Sequence, residues 1–511
     1  MEKRLVLAIA LSLLVLLVWS VLVPKSQLID NKEVTQQAPE TAVVMSADIK
    51  SAKDIQKQVL QKEFPDSSLF KFSLPKYEIT FIEPQAAIKD VFFKSHQNYK
   101  FPLHIGFLVD DKELVFQKEN SAPESVSFVY KDKDKQIIKR FAFSNSNYSI
   151  ELEITIQNLS NTPFQFKLPL ILGMLNLKDD PEQARLKDVT IATKEKIMHL
   201  TPRNNSTFAD VRFLGMRDRY FCAIIEPAAN NYAAFINKVN TQEFDIGLNA
   251  MEITILPNQL FAQKFNIYLG PQDLKQISRI NPEWTAVMYY GTFDFIAHLL
   301  LQLLDILYGL VHNWGLVIVI LSTAIYFLLY PLSLKQMRSM KQMQVLQPKI
   351  GELRKLYKDS PQKLNKEVMG LYREHKINPL SGCLPLIFQM PVFLALYQVL
   401  MRSVSLKGAK FLWIKDLSKP DQLFNLPASL PILGNEINIL PILMAIGMFF
   451  QQKISMSSAS SGSAEQQKLM LIMLPLMFGF IFYHMPAGLV LYWFVNSALT
   501  LIQQLRVARV K

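Results

Sequence analysis

Three apolar stretches carry polar side chains at helical spacing, and these are the residues best placed to do chemistry. Ser322, Tyr326 and Tyr330 recur every four residues between Gly315 and Leu332. Gln389, Phe393 and Tyr397 do the same between Cys383 and Met401. Trp493, Asn496, Thr500 and Gln503 follow between Leu489 and Leu505. Residues three or four apart share a helix face. Each stretch is about long enough to span a bilayer, so each stripe lies at membrane depth. Polar groups there face a bundle interior or a wet cavity. One stripe would be interhelical glue, at perhaps 0.6 kcal/mol per bond. Three stripes favour a shared hydrated groove. The same groove explains why Pro385, Pro391 and Gln389 interrupt residues 383 to 401. Proline frees a backbone carbonyl, a buried amide needs partners, and both are tolerated best where water or polar groups reach them.

Covalent chemistry has no comparable support. Ser322 and Ser497 lie in apolar stretches with no lysine or histidine at helical spacing to act as base. His484 sits at the outer end of one stretch. His96, His104 and His199 are scattered, without metal-ligand spacing. Two cysteines, Cys222 and Cys383, exclude a disulfide framework or a cysteine-rich metal centre. No Walker loop, HExxH or GxSxG is present. The expectation is a protein that is no enzyme, with no catalytic residue, no metal and no cofactor.

The elements that position the stripes are six apolar runs: Leu5–Val23, Gly315–Leu332, Cys383–Met401, Ile437–Phe450, Leu469–Tyr483 and Leu489–Leu505. The fourth and fifth are short or carry proline (Pro441, Pro475). The first lacks an A-x-A site or a lipobox cysteine, so an uncleaved anchor is expected. Lys3 and Arg4 precede it. Basic residues crowd the segment between the second and third runs and recur at Arg506, Arg509 and Lys511. The positive-inside rule then puts both termini and the 335–378 segment in the cytoplasm, and residues 24 to about 285 outside. This topology accounts for the net charge of +12 better than nucleic-acid binding does, and no DNA partner is expected. It also puts Cys222 and Cys383 on opposite sides of the bilayer.

Residues 25–68 read as a polar tether. Strand signals follow at YEITFI (77–82), SVSFVY (125–130), FAFS (141–144), SIELEITIQN (149–158), YFCAII (220–225) and FNIYLG (265–270). Ile150, Leu152, Ile154 and Ile156 alternate with polar residues, as in a half-buried strand. KDKDK (131–135) looks like a solvated hairpin tip. An all-β sandwich over residues 69–285 fits.

On the cytoplasmic side, Met337, Met340, Met343, Leu346, Ile350, Leu353 and Tyr357 form one apolar helix face. Leu364, Val368, Leu371 and Tyr372 form another after a turn, with Ser360 suited to N-cap and Pro361 to the first helical position. The expected structure is an antiparallel hairpin with basic outer faces. Its candidate contact residues are Met337, Arg338, Met340, Lys341, Met343, Arg354 and Lys355. Methionine suits promiscuous apolar binding, and the basic faces suit anionic lipid headgroups.

Four segments carry a resemblance: NWGLVIVIL (313–321), YPLSLKQMRSMKQMQVLQPKI (330–350), INPLSGCLPLIFQMPVFLALYQVL (377–400) and PAGLVLYWFVNSALTLIQQ (486–504). They resemble the YidC/Oxa/Alb family of membrane-protein insertases. NYSIELEITIQNLSNTPFQF (147–166) and FNIYLGPQD (265–273) look like the large periplasmic β-sandwich of its Gram-negative members. HLLLQLLDILYGLVHNWG (298–315) resembles an amphipathic interfacial helix, here 290–312. The resemblance implies a six-span inner-membrane protein with a 1–24 anchor and a five-helix insertase core, 313–506, before a short 507–511 tail. It implies a hydrophilic groove open to cytoplasm and lipid, lined by Ser322, Tyr326, Tyr330, Gln389, Phe393, Tyr397, Trp493, Asn496 and Thr500. Implied partners are nascent membrane proteins and Sec translocon components, with the ribosome and signal recognition machinery as further candidates. One departure stands out. The family usually has an arginine where this chain has Tyr326, so attraction of acidic substrate tails inside the groove is expected to be weaker. From the residues alone, a transporter or channel is the alternative, although no internal repeat supports it.

Overall fold

The computed structural model describes residues 68–109, 114–178, 181–229, 232–250, 252–358, 360–375, 377, 384–430, 434–456 and 464–509. The expected anchor Leu5–Val23, the tether up to residue 67, and Cys383 lie outside the described residues. The chain divides into two compact units at Thr292 and Phe293.

In the first unit, alternation of apolar and polar residues builds antiparallel sheets. The largest has nine strands. Its middle is Phe221–Pro227, Leu260–Pro271, Ser149–Asn158 and Lys135–Phe143, each paired antiparallel with the next. A five-stranded sheet, a four-stranded sheet and a two-stranded pairing of Phe164–Phe166 with Ile253–Ile255 make up the rest of the β-rich body. Strand Ser149–Asn158 has the bounds and the facing read from its sequence: Ile150, Leu152, Ile154 and Ile156 are buried and Glu151 is exposed. Burying such aliphatic side chains contributes about 1.5–3 kcal/mol each. At the hairpin tip, Asp132 Oδ1 accepts hydrogen bonds from the backbone N–H of Asp134 and Lys135, both at 2.8 Å. A short aspartate folding back on its own chain closes the turn.

Other strands are longer than their apolar patterns. The strand expected at 141–144 begins at Lys135, because Lys139 occupies an inward position that the pattern marks as polar. Its ammonium is fully buried and donates to Ala86 O and Phe107 O, both at 2.6 Å. Both acceptor residues have positive φ, 45° and 61°, a conformation that turns carbonyls where a regular strand would not. Burial lowers the Lys139 pKa to about 7. Arg217 is another buried cation, 1% exposed. It makes a bidentate pair with Asp188 at 2.6 and 2.7 Å and donates to Tyr289 O at 2.6 Å. The strand expected from Tyr220 starts at Phe221, because Asp218 Oδ1 takes the N–H groups of Tyr220 and Phe221 into a turn.

The second unit is helical: α1 Asp294–Val311, α2 Trp314–Val345, α3 Gln347–Leu356, α4 Pro361–Glu374, α5 Leu384–Arg402, α6 Ile439–Met456, α7 Ala464–Tyr483 and α8 Ala487–Arg509. α1 buries Ala297, Leu300 and Leu304 and exposes Phe295, Leu299, Ile306 and Leu310. Asp294, His298, Gln302 and Asp305 share one face, so the helix is amphipathic. By length and composition it is also long and apolar enough to cross a membrane, as are α2 and α8. α6 and α7 contain shorter apolar stretches. α8 packs against α2, α5 and α6, and α6 packs against α7. The start of α6 is fixed by Asp421, whose Oδ2 accepts from Ile439 N at 2.9 Å and Leu440 N at 3.0 Å. That carboxylate meets two of the donors every helix N-terminus leaves open.

The stripe from Met337 to Tyr357 does not form one helix. α2 runs through Pro331 to Val345, the chain turns at Leu346, and α3 begins with Pro348 in its first turn. Proline tolerates that position because no N–H is needed there. Ser360 does occupy the N-cap position of α4 and Pro361 its first position, but the serine side chain makes no capping bond. Leu346, Ile350, Tyr372 and Ile377 form a buried cluster, with Met343, Val368 and Leu371 against it.

Candidate functional site: a polar seam along α8

Two polar side chains of α8, Tyr492 and Gln503, reach neighbouring helices, while Asn496 and Thr500 between them bond to carbonyls of α8 itself. Gln389 on α5 donates its amide to the Tyr492 hydroxyl on α8. One turn on, Asn496 Nδ2 donates to Tyr492 O at 3.1 Å, and Thr500 donates to Asn496 O at 2.8 Å. Further along, the Tyr326 hydroxyl on α2 lies 2.8 Å from Gln503 Oε1 and 3.2 Å from Leu499 O. Ser333, two turns after Tyr326, donates to the same Gln503 oxygen at 3.0 Å. Tyr492, Asn496, Thr500 and Gln503 share one face of α8 by spacing. The result is a seam of hydroxyls and amides bridging α8 to α5 at one level and to α2 at another. These bridging side chains carry no formal charge. Arg506, one turn beyond Gln503, is exposed.

Not every expected groove residue joins the seam. Ser322 is fully buried and donates to Ile318 O of its own helix at 2.6 Å, so it serves α2 alone. The Tyr330 ring lies 6.1 Å from that of Tyr326. Tyr397 is half-buried. Phe393 and Trp493 face each other edge-on at 5.0 Å, with Phe478 and Phe482 of α7 completing an aromatic cluster. That cluster is apolar packing beside the seam. Tyr492 and Ser333 belong to the seam and were missed. The signal was present: Tyr492, Asn496 and Thr500 are spaced i, i+4, i+8, while Trp493 fits the stripe only through an i+3 step. Ser333 stands seven residues after Tyr326, on the same face.

The hairpin residues lie apart from the seam. Met343 packs into the hairpin cluster, Met337 and Arg354 are half-buried, and Arg338, Lys341 and Lys355 are exposed. The Met340 side chain lies outside the described residues. Among the described residues, no group of three histidine, cysteine or acidic side chains could hold a metal ion.

A β-rich unit joined to apolar helices with a polar seam defines a helical membrane protein with a large domain outside the bilayer. Comparison with known proteins gives the family. The pattern described as "60Kd inner membrane protein" matches residues 306–511, and that described as "YidC periplasmic domain" matches residues 67–303. A membrane protein insertase YidC from Syntrophobacter fumaroxidans is 30% identical, with 100% of each chain covered. One from Pelobacter propionicus is 31% identical over 99% of this chain and 98% of that one. A solved active YidC insertase covers 88% of this chain and 93% of its own, at 19% identity and a TM-score of 0.41. The chain belongs to the YidC family of membrane protein insertases, and its β-rich unit is that family's periplasmic domain.

Proposed function

We propose that this chain inserts nascent membrane proteins into the inner membrane, using the α8 seam as the path for a short polar tail. The observation that carries the reading is the pair of polar bridges, Gln389–Tyr492 and Tyr326–Gln503–Ser333, between helices α2, α5 and α8, whose sequences are largely apolar. Placing a charge at mid-bilayer costs roughly 2.5–3.5 kcal/mol on the insertion scale. Groups that hydrogen-bond without carrying charge lower that cost for a polar tail. Burial of the substrate's apolar segment in lipid then drives the remainder, and no nucleotide is needed. The groove opens to the cytoplasm and to lipid, and both termini are cytoplasmic. Exposed Arg338, Lys341 and Lys355 hold the hairpin at anionic headgroups. The chain works alone or beside a Sec translocon, and receives substrates from the ribosome and signal recognition machinery. The test is insertion of a single-span substrate into liposomes holding only the purified chain. Insertion well above empty liposomes is expected, and insertion at the empty level would refute the reading.

A further inference from the structure

Gln503 is only 4% exposed, and just one end of its amide is used. Oε1 takes the hydroxyls of Tyr326 and Ser333, while Nε2 has no hydrogen-bond partner among the described residues. Turning the amide by half a rotation exchanges the roles. Nε2 would then donate to both hydroxyls, Tyr326 would donate to Leu499 O, and Oε1 would be the open end. In either orientation the two hydroxyls of α2 fix one end of the amide and leave the other end open. Buried polar groups are satisfied almost without exception in folded proteins, so an open end at this depth points to a group that arrives later.

We infer that Gln503 is the residue that anchors the main chain of an inserting polar segment, and that it does so without regard to the tail's charge. This rests on the function proposed above and names the substrate feature it reads. A peptide unit carries both an N–H and a C=O, so it complements the open amide end in either orientation. A carboxylate side chain only accepts and an ammonium only donates, while amide and hydroxyl side chains do both but are not present in every tail, as the peptide unit is. Tyr326, Ser333 and Gln503 are all uncharged, so nothing in this network distinguishes an aspartate tail from an asparagine tail. Discrimination by charge belongs instead to Arg506, three residues further along α8 and exposed. Gln503 would therefore set how well any polar tail is held, and Arg506 which tails are favoured.

The experiment uses the full chain in liposomes and two single-span substrates that differ only in a short tail, one of aspartates and one of asparagines and serines. Gln503→Leu should lower insertion of both by a similar factor, about five-fold or more, the loss expected for one hydrogen bond. Arg506→Gln should lower the aspartate tail alone. A trapping measurement covers the event that Gln503→Leu weakens the bundle. A cysteine at Thr500→Cys should form a disulfide with a cysteine in the tail when Gln503 is present, and lose it with Gln503→Leu in chains still resistant to proteolysis. The inference is overturned if wild type inserts both tails and Gln503→Leu matches it. A loss confined to the aspartate tail, or trapping unchanged by the substitution, also overturns it. Failure of wild type to insert either tail would instead remove the proposed function itself.

Discussion

Replacing Lys139 with methionine should change how the periplasmic domain's stability depends on pH. The ammonium is fully buried, with two carbonyl oxygens as acceptors. Burial lowers its pKa from 10.5 to about 7. Between those values the unfolded chain holds a proton that the folded chain has released. Stability therefore rises with pH across that window, by up to about 1.4 kcal/mol per unit. The penalty is fully present below pH 7 and is relieved by about pH 10.5. Integrated from pH 7 to pH 10, the single group contributes roughly 3 kcal/mol. Lys139→Met removes this titration, although it strips Ala86 O and Phe107 O of their donor at a pH-independent cost of about 1–3 kcal/mol for each carbonyl left dry. Pulse proteolysis of the full chain in detergent, across a urea series at pH 7 and pH 10, measures both. Other titrating groups cancel between wild type and variant. Wild type should gain stability relative to Lys139→Met by roughly 3 kcal/mol on going to pH 10. Midpoints that move in parallel would show that the lysine is charged in the folded domain at both pH values, and would refute the reasoning.

Further outcomes follow from other residues. Tyr326→Phe removes the hydroxyl donor to Gln503 and should weaken the bundle by no more than about 1.7 kcal/mol, read as thermal stability in detergent. Tyr326→Arg should raise insertion of acidic-tailed substrates relative to neutral ones, and an unchanged ratio would count against a charge-free seam. Arg217→Met leaves the Asp188 carboxylate without its bidentate partner and should destabilise the periplasmic domain by about 3–5 kcal/mol, measured by urea denaturation. Cys222 is buried, and desolvation pushes its thiol pKa up. It should resist maleimide in the folded chain and react once urea unfolds the domain.

Much of this was legible where one physical rule dominated. Strand Ser149–Asn158 could be read to the residue because its two faces separate apolar from polar without exception until Asn158. That asparagine is buried because its side chain donates to Thr162 O and Ile255 O, both at 2.9 Å. Lys139 defeated the same rule. A buried lysine needs carbonyls delivered by two left-handed residues distant in sequence, and no local pattern announces them. The break at Leu346 was hidden because a 3.6-residue period continues across it, although Pro348 was in view. Tyr492 lost its place to Trp493 because a three- and a four-residue step both satisfy a helix face. Only the packing of α5 against α8 decides between them. The pairing of Tyr326 with Gln503 and Ser333 depends on the register of α2 against α8, which no single helix encodes.

The central claim is that a polar tail travels along the α8 seam, and the accessibility of that seam to water tests it most directly. Single cysteines at Asn496 and Thr500 would be compared with one at the exposed Ile502, in chains whose native cysteines are replaced by serine. A membrane-impermeant maleimide would be added to inverted membrane vesicles. The account predicts labelling at Asn496→Cys and Thr500→Cys, little at Ile502→Cys, and protection of the first two when a substrate is stalled during insertion. Seam positions as unreactive as Ile502→Cys, or labelling that a stalled substrate does not reduce, would contradict it.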